Sequence, residues 1–379
     1  MEIFCSYIKM VVSYSNYSII ECIKQSGKRT AMKIIILAAF LLCTVFTGHS
    51  LLNSSHPDKN KNPPHHTDKG FVNPYPGFEE KSFGDFLYWI LFDRARNSND
   101  KKNRTYDFIR VKNDGKALRE NTGSFSVTWI GHSTLLIQIA GVNILTDPIW
   151  SERSSPFQFI GPKRFVKPGV RFEDLPEIHV VIISHDHYDH FDENTIRRLG
   201  NAPLYIVPLK VGKLLEDSDI TNYRELDWWG STTCRGIDFI ATPAQHFSGR
   251  SLFNRNETLW SGWVIRGKKH RVYFAGDTGY FPGFKEIGER YGPFDIAAIP
   301  VGAYMPRWFM GPVHLSPEEA VQAFLDVKGK KFLPIHWGTF DLANEALDDP
   351  PKVLIGEIVH RMLPVENFWI LKHGETRNL

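Results

Sequence analysis

The chain has 379 residues, of which 13% are aromatic and 23% charged, and its formal net charge is only +3. This composition is typical of a globular protein with one or two domains and excludes an intrinsically disordered chain. The small net charge argues against a dedicated nucleic-acid-binding protein, which would need a strongly basic surface. Only Cys234 lies beyond residue 50, so neither a disulfide framework nor a cysteine-based zinc site is available to the folded body.

The N-terminal region has the layout of a secretory signal. Lys33 precedes an apolar run at residues 34–46, and a polar Thr-Gly-His-Ser stretch follows it. We predict that translation starts at Met32 and that residues 1–31 are a non-native upstream extension. Residues 32–50 are then a signal peptide or, if they stay uncleaved, a membrane anchor. The protein is therefore expected to be exported, or associated with the cell envelope or a membrane.

Residues 51–70 are rich in Asn, His, Pro, Lys and Ser, which predicts a disordered linker before a catalytic domain at residues 71–379. We expect His65 and His66 in this linker to be flexible surface side chains. At the start of the domain, Ser82 is placed to cap a helix with a broad apolar face. That face either packs on the domain core or dips into a membrane surface.

The densest group of candidate metal ligands is the stretch Ser-His-Asp-His-Tyr-Asp-His at residues 184–190. It directly follows an apolar run at residues 180–183, which is typical of a buried β-strand. Loops that follow core strands commonly carry the chemistry of layered α/β folds. The spacing lets His185 and His187 converge on one ion while Asp189 and His190 turn towards a second, since one catalytic zinc takes only about three protein ligands.

Other predicted strands end in the same way. Each of the following runs leads to an acid or an imidazole: 142–146 to Asp147, 238–243 to His246, 271–276 to Asp277, and 331–335 to His336. If these strands share sheet edges, the side chains meet at one rim, where imidazole and carboxylate suit zinc, iron or manganese. His132 lies in a Gly-His-Ser turn, and we expect a local hydrogen bond there rather than a metal ligand.

The pattern His185-x-His187-x-Asp189-His190, followed by His246, Asp277 and His336, resembles the signature of the metallo-β-lactamase superfamily. Within it, the chain resembles the N-acylphosphatidylethanolamine-hydrolysing phospholipases D over about residues 70–376. The segments that carry this resemblance are residues 71–74, 145–149, 161–165, 225–229, 274–280, 299–304, 306–310, 335–340 and 371–375. The resemblance implies an α/β fold, the αβ/βα sandwich of two packed mixed β-sheets flanked by helices.

The resemblance also implies the ligand assignments. One zinc would be held by His185, His187 and His246, and a second by Asp189, His190 and His336, with Asp277 bridging both. It further implies that His314 lies beside the site and that Asp147 supports the ligands, so Asp147, Asp189, Asp277 and His314 are the candidate catalytic residues. Zinc fits these donors, but iron or manganese could fill the same positions. The stretch Phe247-Ser248-Gly249-Arg250 departs from the Trp-Cys-Lys of the mammalian form.

We therefore predict a dinuclear-zinc phosphodiesterase that hydrolyses N-acylphosphatidylethanolamine to N-acylethanolamine and phosphatidic acid. Two cations roughly 3.5–4 Å apart can lower the pKa of a shared water towards about 7, and the resulting hydroxide would attack phosphorus in line. Protonation of the departing alkoxide is unassigned at this point, with His314, or Asp147 through a water, as the candidates.

Two alternatives stay open at this point. One is a hydrolase of the same fold that acts on a lactone, a lactam or a cyclic phosphodiester. The other is a non-catalytic, metal-containing lipid-binding protein. The expected partners are a phospholipid substrate and a membrane surface but no nucleic acid, and the resemblance implies a homodimer. Candidates for lipid contact are the helix at residues 83–91 and the segments 157–159 and 304–310.

Overall fold

The computed structural model describes residues 63–94, 104–251 and 253–379. Contacts divide the chain after His56, and all described residues belong to the second unit, Pro57–Leu379. The predicted extension and the signal peptide or anchor lie outside the described residues. Among the helices of the described ranges, none combines the length and the apolar character that a membrane span requires.

Two mixed β-sheets pack face to face at the centre of the second unit. The first sheet has seven strands in the order β13-β1-β2-β3-β4-β5-β6, and the second has six in the order β12-β11-β10-β9-β8-β7. The strands of the first sheet are β1 (Ser126–Gly131), β2 (Thr134–Ile139), β3 (Val142–Thr146), β4 (Val180–Ile182), β5 (Leu204–Pro208), β6 (Tyr223–Leu226) and β13 (Thr376–Asn378). Those of the second are β7 (Ser231–Cys234), β8 (Ile237–Thr242), β9 (Gly262–Arg266), β10 (Arg271–Phe274), β11 (Phe294–Pro300) and β12 (Gly329–Ile335).

Both sheets change from antiparallel to parallel pairing. Strands β1 to β3 pair antiparallel and β3 to β6 pair parallel, while β7 to β10 pair antiparallel and β10 to β12 pair parallel. Parallel neighbours need crossover connections, and helices supply most of them. The α-helices are α1 (Phe83–Tyr88), α2 (Lys116–Glu120), α3 (Glu193–Leu199), α4 (Gly212–Glu216), α5 (Gly283–Tyr291), α6 (Arg307–Met310), α7 (Pro317–Asp326) and α8 (Asp349–His360). The predicted fold class, two mixed sheets flanked by helices, is confirmed.

The alternation of side chains along β4 explains why this strand is apolar throughout. Val180 and Ile182 belong to the core between the two sheets, whereas Val181 and Ile183 pack with the helices on the outer face of the first sheet. All four side chains are fully buried. Burying an aliphatic side chain of this size stabilises the fold by roughly 1.5–3 kcal/mol. The strand that ends at the ligand cluster is therefore anchored on both faces.

The sequence predicts helix starts at Asp192 and at the Ser-Pro-Glu-Glu stretch that begins with Ser316, and the structure has side-chain capping only at the second. Ser316 begins α7 with a capping box, in which its hydroxyl accepts from the Glu319 amide and the Glu319 carboxylate accepts from the Ser316 amide. Asp192 precedes α3, but the prediction that its side chain caps this helix is wrong. Its carboxylate accepts instead from the amides of Trp150 and Ser151 at 3.2 and 3.0 Å, which fixes the loop after β3.

The apolar face of α1 divides between the two expected roles. Ser82 caps the helix as predicted, and a π-helical segment, Trp89–Arg94, continues it. Trp89 is 5% exposed and stacks on Phe309 with ring centroids 5.1 Å apart, so it packs on the domain. Phe83 and Phe92 are 49% and 50% exposed and leave an apolar surface in contact with solvent.

The expectation of a linker with flexible histidines is wrong for the described part of that segment. His65 is only 5% exposed, and its Nε2 lies 2.7 Å from Asp227 Oδ1. His66 Nε2 lies 2.9 Å from the other oxygen of the same carboxylate. Composition predicted a polar linker because it could not reveal a carboxylate partner more than a hundred residues away in the chain.

The end of β12 depends on a close backbone approach at Gly302. A Cβ atom there would lie 2.0 Å from the His336 carbonyl oxygen, which is backbone and cannot turn away. We expect Gly302→Ala to lower the free energy of unfolding by at least about 2 kcal/mol, as overpacking against rigid neighbours does. Chemical denaturation followed by circular dichroism measures this change.

Gly356 provides the matched control. It lies in α8, and a Cβ there would meet no heavy atom within 4 Å. Gly356→Ala should be neutral or stabilise the protein by up to about 1 kcal/mol, because alanine favours the helix more than glycine does. Equal denaturation midpoints for the two variants would contradict the proposed clash at Gly302.

Candidate metal centre

The predicted ligands lie at one edge of the two packed sheets, directly after the strands that the sequence predicted. Asp147 follows β3, Ser184 and His185 follow β4, and His336 follows β12. Asp147 and His336 adopt positive φ angles of 36° and 61°, a region that non-glycine residues rarely occupy. Such backbone strain persists only where the surrounding structure enforces it, and it is frequent at functional sites.

Three of the imidazoles form the first ligand group. His185 Nε2 lies 2.8 Å from His187 Nδ1, and His187 Nδ1 lies 3.3 Å from His246 Nε2. Three ring nitrogens converging in this way are arranged to share a single cation. His185 and His187 were predicted for this role from their spacing, and His246 from the family resemblance.

The second ligand group combines imidazoles with carboxylates. Asp277 Oδ2 lies 3.2 Å from His190 Nε2 and 3.0 Å from His336 Nε2. Asp189 Oδ2 lies 3.4 Å from each of the same two nitrogens. The Asp277 oxygen is also 4.0 Å from His246 Nε2, so it reaches the first group as well. The predicted bridging residue thus lies between the two groups.

Hydrogen bonds behind the ligands determine which ring nitrogens face the site. His190 Nδ1 donates to Asp147 Oδ2 at 2.7 Å, and His246 Nδ1 donates to the Val313 carbonyl at 2.9 Å. The Ser184 hydroxyl donates to Asp147, so its oxygen accepts from His185 Nδ1 at 2.9 Å. When these rings are neutral, the Nε2 lone pair faces the site, which is how outer hydrogen bonds prepare histidine ligands for a metal.

Asp147 has a supporting role and does not reach the reacting region. It is fully buried, and its two oxygens accept from the Ser184 amide, the Ser184 hydroxyl and His190. The expectation that Asp147 protonates a leaving group through a water is therefore wrong, because no oxygen of this side chain is accessible to water. Its predicted support of the metal ligands agrees with the geometry.

His132 contacts the ligand cluster, although a local hydrogen bond was expected for it. Its side chain is buried, and Nε2 lies 2.9 Å from Asp189 Oδ2, so its partner is not local. Its ring lies against that of His336, with centroids 4.1 Å apart. His132 directly follows β1, so the same rule of a strand followed by a ligand-type residue could have found it.

The electrostatics of the metal-free site separates the imidazoles into two types. Burial holds the pKa of His185 and His246 well below the usual value, so both rings are neutral. Burial also acts to lower the pKa of His190 and His336, but the Asp277 and Asp189 carboxylates outweigh it. The pKa of His190 is therefore raised well above its usual value, and that of His336 is raised to about 9.

The residues present fit a metal centre. His190 Nε2, His336 Nε2 and Asp277 Oδ1 are buried and make no hydrogen bond. Buried polar atoms almost always have hydrogen-bond partners, so three such atoms without one in a single ligand cluster require an explanation. Cations between them would supply the missing partners, and imidazole with carboxylate is a donor set for zinc, iron or manganese. The site is a candidate metal-binding cluster with more donors than one catalytic ion uses.

Comparisons with known proteins agree with this reading. A profile described as Beta-lactamase superfamily domain matches residues 142–337. The chain is 40% identical over 245 residues to N-acyl-phosphatidylethanolamine-hydrolyzing phospholipase D 1 of Caenorhabditis elegans, covering 61% of this chain and 69% of that protein. It is 44% identical over 245 residues to an uncharacterised protein of Mycobacterium tuberculosis, covering 62% of this chain and 65% of the relative, which is slightly less than two thirds of its length.

The fold is also similar to that of a metallo hydrolase from the archaeon Ignicoccus hospitalis, with a TM-score of 0.51 and 22% identity over 68% of this chain and 98% of that one. Fold and site together define a protein of the metallo-β-lactamase fold with a candidate metal-binding cluster. The chain belongs to the metallo-β-lactamase superfamily. The predicted resemblance to N-acylphosphatidylethanolamine-hydrolysing phospholipases D is confirmed.

The raised pKa values predict how the metal-free protein responds to pH. A histidine whose pKa is higher in the folded state stabilises the fold below its unfolded pKa and loses this effect as the pH rises through the folded value. For His336 the window runs from 6.5 to about 9. We expect the free energy of unfolding of the metal-free protein to fall across this window, measured by denaturation at several pH values.

Metal binding should release the protons that these histidines carry. Ligand imidazoles must be neutral to coordinate, so loading the metal-free protein at about pH 7.5 should release about two protons, from His190 and His336. Titration calorimetry in two buffers of different ionisation enthalpy counts these protons. Metal binding without proton release would contradict the charge state assigned to this pair.

Proposed function

We propose that the protein is a phosphodiesterase of the phospholipase D type with two zinc ions, which hydrolyses N-acylphosphatidylethanolamine to N-acylethanolamine and phosphatidic acid. The observation that carries this proposal is the position of Asp277. One oxygen of its carboxylate lies 3.0 Å from His336 Nε2 and 4.0 Å from His246 Nε2, so it adjoins both ligand groups. The similarity to the Caenorhabditis elegans phospholipase supports the choice of substrate.

The bound cations would lower the pKa of water and neutralise charge that develops on the phosphate oxygens. The chain itself orients the donors for this chemistry. Asp277 would bridge the ions, while Asp147 and Ser184 keep His190 and His185 in the tautomers that expose Nε2. His132 holds Asp189 from the opposite side at 2.9 Å. The donors are therefore positioned before substrate arrives, which is what electrostatic catalysis requires.

His314 is the remaining predicted catalytic residue, and it lies beside the ligands. Its Nδ1 is 3.9 Å from Asp277 Oδ2 and has no hydrogen-bond partner. Burial lowers the pKa of His314 to about 3, so the ring is neutral at physiological pH. A neutral imidazole can donate a hydrogen bond to a leaving oxygen, but it is a weak general acid. We therefore assign His314 to stabilising the leaving group by hydrogen bonding.

The loop after His246 forms one wall of the site. Phe247 contacts the His187 ring, with centroids 4.6 Å apart. Arg250 donates to the carbonyls of Asp186 and Phe191 at 2.7 and 3.0 Å, which ties this loop to the ligand stretch after β4. The residues that depart from the mammalian pattern therefore have a clear structural role, in holding two ligand-bearing loops together.

An apolar surface adjoins the site and gives the lipid chains a place to bind. Trp308 is 40% exposed, and its ring lies 5.7 Å from that of Tyr88, so α6 and α1 form one continuous surface with Phe83 and Phe92. The same short segment carries His314, whose amide donates to the Met310 carbonyl. We propose that this surface contacts the membrane that contains the substrate.

The first test is lipid mass spectrometry after incubation of the zinc-loaded protein with N-acylphosphatidylethanolamine. We expect N-acylethanolamine and phosphatidic acid, and at least a hundredfold slower turnover of a lactone, a lactam or a cyclic phosphodiester, about 2.7 kcal/mol of discrimination. Asp277→Asn should lose metal and activity together, because the bridging charge is gone. Faster hydrolysis of a lactone, or tight lipid binding without product, would favour one of the alternative functions instead.

Asp295→Asn is the matched control for that variant. Asp295 is also buried, at 8% exposure, but its carboxylate accepts from Lys330 and the Arg271 amide, away from the ligands. We expect this variant to keep its metal, measured by elemental analysis, and its turnover. Retained turnover in Asp277→Asn would contradict the bridging role.

The apolar surface has its own test. Replacing Phe83 and Phe92 by serine should raise KM for substrate in vesicles several-fold, since both side chains are about half exposed and would lose membrane contact. The kcat for a soluble short-chain substrate should not change. Val359→Ser in α8 removes a comparably exposed apolar side chain, 64% exposed, and should affect neither value. Equal effects of both replacements on KM would rule out a specific surface.

A further inference from the structure

A second group of metal-type ligands lies in the N-terminal part of the described chain. His65 Nε2 and His66 Nε2 approach the two oxygens of Asp227 at 2.7 and 2.9 Å. Their possible ligand atoms all lie within 4.8 Å of one another. None of these three residues belongs to the candidate metal centre described above.

Packing holds the three side chains in place. The His65 ring stacks on Trp228 with centroids 4.1 Å apart, and the His66 ring meets the edge of Phe71 at 5.1 Å. The Trp228 amide donates to Asp227 Oδ1 at 2.8 Å, which orients the carboxylate. The histidines therefore occupy fixed positions, so a ligand would find them already arranged.

The backbone of this segment is folded back on itself. The Val72 amide donates to the His65 carbonyl, and the Thr67 amide donates to the Gly70 carbonyl, at 2.9 and 2.8 Å. The segment also contacts the loop of the main site, because Asn73 Nδ2 donates to the His246 carbonyl at 2.7 Å. An interaction that fixes His65 and His66 therefore also fixes the segment through which Asn73 contacts His246.

The donor set and its spacing suit a divalent transition ion. Two imidazoles and a carboxylate are the ligands of many zinc sites, where the donors of a tetrahedral ion with bonds of about 2.0–2.1 Å lie about 3.3 Å apart. The two imidazole nitrogens lie 2.7 and 2.9 Å from separate oxygens of the Asp227 carboxylate, and each distance needs to widen by only about 0.5 Å to reach that separation. The side chains of His66 and Asp227 are 23% and 31% exposed, which leaves an open side for ion entry and a water ligand.

We propose that His65, His66 and Asp227 form a third metal site, which takes a divalent transition cation of the zinc class with water as its remaining ligand. The bound ion joins two segments that are 161 residues apart in the chain. It thereby anchors residues 63–74 against the body of the domain and supports the His246 loop. The role of this ion is structural, and it does not depend on the proposed phosphodiesterase activity.

His66→Gln tests the site against the simpler alternative, in which the cluster is held by hydrogen bonds alone. The glutamine amide can still donate to Asp227, but it is a poor zinc ligand. We expect the zinc-loaded variant to contain about one equivalent of zinc less per chain than the unaltered protein, measured by elemental analysis after desalting. His360→Gln, at an exposed histidine of α8 whose side chain is 79% accessible, should show no loss.

The same comparison in the Asp277→Asn background separates the two metal sites. Zinc titrated into this variant should still fill the third metal site, and adding His66→Gln should lower the bound zinc by about one equivalent per chain. Cobalt loading gives a second readout, because visible absorbance from the third site should disappear with the same change. Equal metal content with and without His66→Gln, in both backgrounds, would overturn the proposal and assign the cluster to hydrogen bonding alone.

Discussion

The contact between the Asp277 carboxylate and imidazoles from both sheets is the constraint on which the site depends. Asp277 is 3% exposed, and it faces His190 after β4 and His336 after β12. A buried carboxylate without a partner would destabilise the fold by several kcal/mol, so it must be balanced by positive charge. In the metal-free protein imidazolium rings provide this balance, and cations would replace it on loading. The sheets can therefore close over this edge only when the charges are matched.

The charged ligands keep their positions because hydrogen bonds also hold the residues next to them. Trp263 in β9 donates its indole N–H to the Ile183 carbonyl at 3.0 Å, and the Ser261 amide donates to the Ser184 carbonyl at 2.9 Å. These two bonds join the second sheet to the end of β4, directly before the ligand stretch. Ser184 in turn orients Asp147, and through it His190. Contacts between the two sheets thus help to set the positions of His185 and His190 after β4.

Much of this arrangement could be predicted from sequence because it follows from local rules. Apolar runs of strand length, each followed by His or Asp, located the ends of β3, β4, β8, β10 and β12, and the family pattern supplied the grouping of ligands. The predictions that failed concern residues whose interaction partners are distant in the chain. Asp192 looked like a helix cap, but amides from the loop after β3 compete for its carboxylate. His65 and His66 looked like linker residues because their carboxylate partner lies beyond β6. His132 was discounted as a turn residue because its partner, Asp189, lies 57 residues away in the chain.

The metal ligands and the surface around them come from different parts of the chain. The ligands follow core strands whose side chains are buried on both faces, so their geometry changes little without loss of the core. Other segments lie next to the ligands or contact them: residues 63–74 through Asn73, the loop that carries Phe247 and Arg250, and the segment from Trp308 to His314. These segments hold one another through side-chain contacts such as that of Asn73 with the His246 carbonyl. Substitutions in them can alter the surroundings of the site while the donors stay in place, which is how one superfamily fold can serve different functions.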